Sequence, residues 1–128
     1  MNKHEFRAKD YLLHMLEAAD RVLEYTAGVT EKQFVANQML QDAVVRNIEI
    51  IGEASNNLLE VGPEFAAKYP SIPFAQIYGM RNRVSHGYFA VSPAMIWDSV
   101  QVGGPELPKQ IVGGVLIWIG STLYAAVF

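Results

Sequence analysis

Residues 38–60 read QMLQDAVVRNIEIIGEASNNLLE, and this stretch decides the fold. Its apolar residues recur at spacings of three and four, which is typical of an α-helix with one buried face. The predicted buried stripe consists of Val44, Ile48, Ile51, Ser55 and Leu58. Gly62-Pro63 follows and cannot continue the helix, so we predict one long helix over about residues 38–60 that packs against the rest of the chain.

The sequence before this helix predicts two further helices. Residues 11–26 carry apolar side chains at helical spacing, with Asp10 as the expected N-cap and Gly28 as the expected stop. Thr30-Glu31-Lys32-Gln33 has the pattern of a capping box, which opens a short second helix.

The sequence after the long helix predicts two more. Residues 61–72 form a connection with one short helical turn at 64–69, and Pro73 then begins a helix over residues 73–86. Ser92-Pro93 begins a last helix through about Gln101, anchored by apolar residues that include Trp97. The prolines fall between these helical patterns and interrupt none of them. We therefore predict a single all-α domain.

The polar face of the long helix carries charged residues one turn apart, namely Asp42, Arg46, Glu49 and Glu53. One interpretation is an exposed ladder of ion pairs, each worth about a few tenths of a kcal/mol. The other is that Glu49 or Glu53 faces the arginines of a neighbouring helix, and the sequence leaves both open. No histidine or second acidic cluster stands at ligand spacing, so we predict no metal site.

Chemically active side chains are concentrated in residues 79–89, which read GMRNRVSHGYF. His86 can accept or return a proton near neutral pH, because the unperturbed pKa of histidine lies close to it. Arg81 offers a planar set of donors that fits phosphate oxygens and keeps its charge. Together they suit a phosphodiester reaction that needs no metal.

The spacing of these residues on a helix over 73–86 leaves their geometry open. Asn82 and His86 lie one turn apart on the same face, so the amide can orient the imidazole. Arg81 and His86 lie roughly 140° apart on an ideal helix and converge only if the helix ends at Ser85 or His86, or if a second subunit completes the site. A purely structural interpretation also stands, in which His86-Gly87 caps the helix and the arginine is an exposed surface residue without a specific function.

The expected buried stripe of the motif helix is Ile77, Met80 and Val84. This places the chemical groups on more accessible faces, a set made up of Tyr78, Arg81, Asn82, Ser85 and His86. The pattern therefore predicts that the reactive side chains avoid the core side of the helix.

Arg81-x4-His86-x-Tyr88 resembles the Arg-x4-His-x-Tyr signature of the HepT-like toxins, which belong to the HEPN superfamily of all-helical ribonucleases. Residues 20–28, 41–54 and 72–83 are also similar to that family, in the same order. The similarity covers about residues 8–110. We therefore expect a HepT-like domain over residues 1–110, followed by a divergent apolar segment at 111–128.

The resemblance implies a HEPN-like antiparallel bundle of four to five helices and a homodimeric, metal-independent endoribonuclease without a cofactor. Its members act as toxins of type II toxin–antitoxin systems, and the antitoxin is an MNT-type nucleotidyltransferase that adds AMP to the motif tyrosine. Arg81 and His86 match the catalytic pair, and Tyr88 matches the modified tyrosine. Asn82 follows the motif arginine as in many relatives, and we assign it a supporting role.

Two neighbours within the motif, Arg83 and Ser85, are also expected to support the catalytic pair. Glu49 and Glu53 are expected to hold the arginines from outside the motif. The predicted substrate is RNA, and its cleavage begins with attack by a ribose 2′-hydroxyl.

The composition limits the function classes. The formal net charge of −3 over 128 residues argues against a broad nucleic-acid binder, which normally has a basic face, and we expect no DNA partner. A local pocket of Arg81, Arg83 and His86 on an acidic body still suits a nuclease. The absence of cysteine rules out disulfides and a thiolate nucleophile. Residues 1–7 lack the apolar run of a signal peptide, so we expect a cytoplasmic protein.

Residues 111–128 read IVGGVLIWIGSTLYAAVF and contain no charge. Eighteen residues stand at the lower edge of the roughly 17–25 that cross a bilayer. A buried terminal helix or dimer face, a membrane-prone tail and a poorly folding terminus all remain open. Two other functions also remain open: a non-catalytic helical module that partners a nucleotidyltransferase, and a membrane-tethered accessory protein.

Overall fold

The described part of the chain consists of helices joined by short turns, and it contains no strand. A computed structural model describes residues 3–70, 72–86 and 92–103, with the side chains of residues 6–70, 72–75, 77–79, 81–82 and 92–101. These residues form α1 (Lys3–Thr26), α2 (Glu31–Val35), α3 (Gln38–Val61), α4 (Pro63–Ala67), α5 (Phe74–His86) and α6 (Pro93–Gly103). The predicted all-α bundle is confirmed. The described residues give six helices instead of four to five because two of them, α2 and α4, are single turns of five residues.

α3 is the central helix, and its predicted buried stripe is confirmed. Val44, Ile48, Ile51, Ser55 and Leu58 are all at least nine-tenths buried. α1 runs antiparallel to α3, because Ala8 lies beside Gly62 near one end while Arg21 Nε donates to Asn47 Oδ1 over 2.7 Å further along. α5 also packs along α3, where it contacts the buried residues Gly52 and Ser55.

The predicted start of α1 is wrong. α1 begins at Lys3, and Asp10 lies inside the helix as an exposed residue and not at its N-cap. The physical reason is that the buried face continues upstream of Asp10. Ala8 is fully buried next to Gly62, so the additional turns bury an alanine against the end of α3.

Three predicted local signals at other helix ends are confirmed, whereas α5 begins one residue later than predicted, at Phe74 instead of Pro73. Thr30 and Gln33 form a capping box at the start of α2, with bonds of 3.2 Å and 3.0 Å between each side chain and the other residue's backbone N–H. Gly28 has a φ of +71°, in the left-handed region that suits glycine, just after α1 ends. Gly62 ends α3 with its N–H bonded to the oxygen of Leu58 over 2.8 Å.

The core has two clusters that meet along α3. One joins α1, the second half of α3, α4 and the start of α5; its large members include Leu12, Met15, Leu58, Phe65 and Phe74. The other joins the end of α1, through Val22, with α2, the first half of α3 and α6; its members include Phe34, Val44, Ile96 and Val100. Trp97 packs on Phe34 with ring centroids 5.3 Å apart, so its predicted structural role is confirmed.

The apolar segment expected to diverge from the family pattern lies outside the described residues. This applies to residues 111–128 and to the expected domain boundary at residue 110. Within the described ranges, no helix has the length and apolar character that crossing a bilayer requires.

Candidate active site

A buried hydrogen bond fixes the start of the motif helix to α3. Ser55 Oγ donates to the backbone oxygen of Phe74, the first residue of α5, over 2.8 Å, and Ser55 is fully buried. A hydroxyl buried without a partner would destabilise the fold, so this bond removes that cost. It also determines the position from which α5 runs along α3.

Gly52 faces Arg81 where α5 crosses α3. Gly52 is buried, and a Cβ placed on it would stand 3.5 Å from Arg81 Cα and would overlap the Cβ and Cγ atoms of that side chain. Because glycine has no side chain, the backbone of α3 can approach the arginine stem this closely. The aliphatic part of Arg81 therefore lies in a notch in α3.

The guanidinium of Arg81 has two partners. Its Nη2 forms an ion pair with Glu53 Oε1, and its Nη1 donates to Asn82 Oδ1 over 2.9 Å. Nε is buried and has no acceptor among the described residues. The Arg81 side chain is 21% exposed and that of Glu53 is 48% exposed, so the cationic head still reaches the surface.

The prediction that Arg81 avoids the core side of α5 is wrong. Arg81 packs against α3, and both Tyr78 and Asn82 are half-buried. The reason is Gly52, which makes room for a long side chain on the side of α5 that contacts α3. Ile77 packs on the core as predicted, whereas the side chains of Met80 and Val84 lie outside the described residues.

The polar face of α3 combines the two arrangements that the sequence left open. Arg46 pairs with Glu49 along the helix at 3.7 Å, and Gln38 Nε2 donates to Asp42 Oδ1 over 2.8 Å. Glu53, at the end of the same face, instead reaches across to Arg81. Of the two acidic candidates, Glu53 therefore contacts the motif arginine, and Glu49 contacts a neighbour on its own helix.

The remaining motif residues are described only through their backbone or not at all. His86 is the last residue of α5, and its side chain lies outside the described residues together with those of Arg83 and Ser85. Tyr88 lies wholly outside them. The structure thus brings together Arg81, Asn82 and Glu53. Among the side chains it describes, no group of three His, Asp or Glu residues could hold a metal ion.

Sequence reasoning missed the role of Gly52, although a signal was present. A glycine inside a helix costs about 1 kcal/mol relative to alanine, so one placed on the buried side of α3 indicates a close approach by another element. The sequence could not show which element approaches, because helical periodicity carries no information about where two helices cross.

Comparison with known proteins identifies the family. The profile of the family described as ribonuclease HepT-like matches residues 15–112. A protein of Methanocaldococcus jannaschii named as a candidate RNase, MJ1380, is 33% identical over 111 residues, which cover 87% of this chain and 97% of the relative. A second candidate RNase, TTE0752 of Caldanaerobacter subterraneus, is 38% identical over 103 residues, or 80% of this chain and 89% of the relative.

A third relative carries the family name itself. It comes from Thermococcus cleftensis, is named as a candidate ribonuclease HepT, and is 35% identical over 99 residues that cover 77% of this chain and 87% of the relative. No solved structure matches the chain. Because the family profile spans most of the chain and these relatives align over nearly their full lengths, the chain belongs to the HepT-like family of ribonucleases.

Proposed function

We propose that the chain is a metal-independent endoribonuclease that acts in the cytoplasm as the toxin of a toxin–antitoxin pair. The observation that carries this proposal is the environment of Arg81. Its guanidinium is half-buried, faces a carboxylate and remains accessible, in a chain of the HepT-like ribonuclease family. An arginine that binds one anionic group in this way is suited to bind another, and RNA supplies a phosphate.

In this proposal Arg81 stabilises the negative charge that develops on the phosphoryl oxygens during cleavage. The guanidinium donors are planar and keep their charge, so they can bind two phosphate oxygens as negative charge accumulates on them. Glu53 would hold the arginine before RNA arrives. Its side chain is about half exposed, so it can turn into solvent when a phosphate takes its place.

His86 would act as the general base. It takes the proton from a ribose 2′-hydroxyl, whose oxygen attacks the adjacent phosphorus and forms a 2′,3′-cyclic phosphate. The bond from phosphorus to the 5′-oxygen of the next nucleotide breaks, and a proton returned to that oxygen gives a 5′-hydroxyl end. The proton that the 2′-hydroxyl loses is balanced by the proton that the 5′-oxygen gains, and the reaction uses no cofactor.

Asn82 would connect the two catalytic residues. Its Oδ1 accepts the hydrogen bond from Arg81, which leaves the amide nitrogen as the group that would orient the imidazole one turn further along α5. Arg83 and Ser85 would support phosphate binding from the same segment. A second copy of the chain would bring a second set of these residues to the same RNA, so we propose a homodimer.

The test is RNA cleavage by purified protein in the presence of EDTA. We expect cleavage products with cyclic phosphate and 5′-hydroxyl ends, and a loss of about a hundredfold or more for His86→Ala and for Arg81→Ala. Matched controls are His14→Ala, an exposed histidine on α1, and Arg46→Ala, an exposed arginine on α3. A requirement for a divalent metal, or full activity of either motif variant, would contradict the mechanism.

One observation favours a second candidate, a non-catalytic module that binds a nucleotidyltransferase. Arg81 is engaged by both Glu53 and Asn82, as expected of an arginine that only holds two helices together. The two functions differ in cells. A toxin arrests growth when it is expressed alone, and Arg81→Ala relieves the arrest. A module without catalysis does not arrest growth, so Arg81→Ala has no arrest to relieve.

The proposed partner is an MNT-type nucleotidyltransferase, and the proposed acceptor of AMP is Tyr88. A bulky anionic group two residues after His86 would compete with substrate phosphate for Arg81, so modification should silence cleavage. Intact mass and peptide sequencing after co-expression would locate the added group. An inactive complex in which Tyr88 is unmodified would instead indicate that the partner blocks the site by covering it.

A further inference from the structure

Two features restrain Arg81, and they differ in how easily they can be released. The ion pair with Glu53 involves a carboxylate that is about half exposed, so rotation of one side chain breaks it. The contact with Gly52 involves the backbone of α3 and the first carbons of the arginine stem, so only movement of a whole helix breaks it. The second restraint is therefore the firmer one.

We infer that Gly52 is a positioning residue for cleavage: its notch in α3 fixes the stem of Arg81, and the guanidinium stays in place when Glu53 releases it. This inference rests on the proposed ribonuclease function. Gly52 touches neither substrate nor reacting atoms and acts only through Arg81. Gly52 keeps the Arg81 guanidinium in position while substrate phosphate replaces Glu53 as its partner.

The geometry explains why even one methyl group at position 52 matters. The added Cβ would overlap Arg81 Cβ, whose position is set by the α5 backbone and does not change with side-chain rotation. The overlap can be relieved only if α5 shifts against α3, and the guanidinium shifts with it. A misplacement of about 1 Å in a catalytic group can lower the rate by about a hundredfold.

Two other glycines supply matched controls. Gly79 lies in α5, two residues before Arg81, and a Cβ there meets no described atom within 4 Å. Gly62 is tightly packed, with Ala8 Cβ 3.1 Å and Phe65 Cβ 3.3 Å from the added carbon, but it lies at the end of α3, away from Arg81. Gly79→Ala tests the effect of replacing a glycine within α5 without a clash. Gly62→Ala tests the effect of a tight contact that lies far from Arg81.

The experiment measures RNA cleavage by Gly52→Ala, Arg81→Ala and the double variant, with thermal unfolding of each. We expect Gly52→Ala to lower kcat by about a hundredfold, with KM changed much less. Gly79→Ala should keep wild-type kcat, and Gly62→Ala should lose stability but keep kcat below its unfolding temperature. In the Arg81→Ala background, Gly52→Ala should cost clearly less than in the wild type, because the guanidinium that it positions is gone and only the shift of the rest of α5 remains.

A second measurement does not require Gly52→Ala to fold. The buried Nε–H of Arg81 should give a slowly exchanging NMR signal, assigned by its loss in Arg81→Ala. If the notch holds the stem, this signal keeps its shift and its slow exchange in Glu53→Gln. If the ion pair holds the arginine, the signal moves to the position of exposed arginines.

The outcomes separate this inference from the function on which it rests. Full activity of Arg81→Ala overturns the proposed ribonuclease mechanism. If Arg81→Ala is inactive but folded Gly52→Ala cleaves normally, only the positioning role of Gly52 is overturned. An equal loss from Gly52→Ala in both backgrounds, or loss of the slowly exchanging Nε–H signal in Glu53→Gln, also overturns it.

Discussion

Glu53→Gln should make the enzyme bind RNA more tightly without changing how fast bound RNA is cut. The substitution keeps an oxygen that can accept a hydrogen bond from Arg81 and removes the negative charge. In the wild type, that charge stands beside the position proposed for substrate phosphate. The carboxylate therefore repels the phosphate and competes with it for the same guanidinium.

The magnitude follows from the exposure of the pair. Because Glu53 is 48% exposed, a dielectric constant near that of water applies to its interaction with the phosphate. Two like charges about 5 Å apart then repel each other by about 0.8 kcal/mol, and removing that repulsion should lower KM by about fourfold. Loss of the partly exposed ion pair should cost at most about 1 kcal/mol of stability. Such a loss corresponds to a fall in Tm of about 4 °C.

The assay is steady-state cleavage of a fluorescent RNA oligonucleotide over a series of salt concentrations. The difference in KM between Glu53→Gln and the wild type should shrink as salt rises, because the effect comes from exposed charges. Glu49→Gln is the matched control, since that carboxylate pairs with Arg46 one turn earlier on the same helix. A tenfold fall in kcat with unchanged KM would refute the reasoning and show that the carboxylate is needed during the chemical step.

Two further predictions concern the packing that supports the site. Ser55→Ala removes a buried bond of 2.8 Å and should lower the free energy of unfolding by about 1 kcal/mol, measured by urea denaturation; an unchanged midpoint would mean that the bond does not anchor α5. Phe34→Ala empties a fully buried position against Trp97 and should cost about 3–5 kcal/mol, measured by the same method with circular dichroism. A cost below about 1 kcal/mol would show that α6 closes over the cavity.

Local signals in the sequence determined most of the fold. The stripe from Val44 to Leu58 repeats with helical period, and the Thr30 capping box needs only residues three apart, so both could be predicted from neighbours in the chain. The start of α1 could not be predicted from neighbouring residues alone. Asp10 is a good cap by residue type, but burial of Ala8 beside Gly62 favours a longer helix, and that contact joins residues distant in sequence.

The site shows the same division between local and distant information. The motif and its resemblance identified Arg81 and Asn82, which the structure brings together. The spacing of Glu49 and Glu53 fitted an intrahelical pair and an interhelical pair equally well. The crossing point of α5 decides between them, since it places Arg81 at Gly52 and so within reach of the next residue, Glu53.

The division of the core into two clusters has a consequence for how the molecule opens. α2 and α6 are held by one cluster and α4 with the start of α5 by the other, and the two long helices, α1 and α3, contribute residues to both. Amide hydrogen exchange should therefore detect two cooperative opening units with separate free energies. Denaturant that melts the α2–α6 unit first would leave Arg81 seated in its notch.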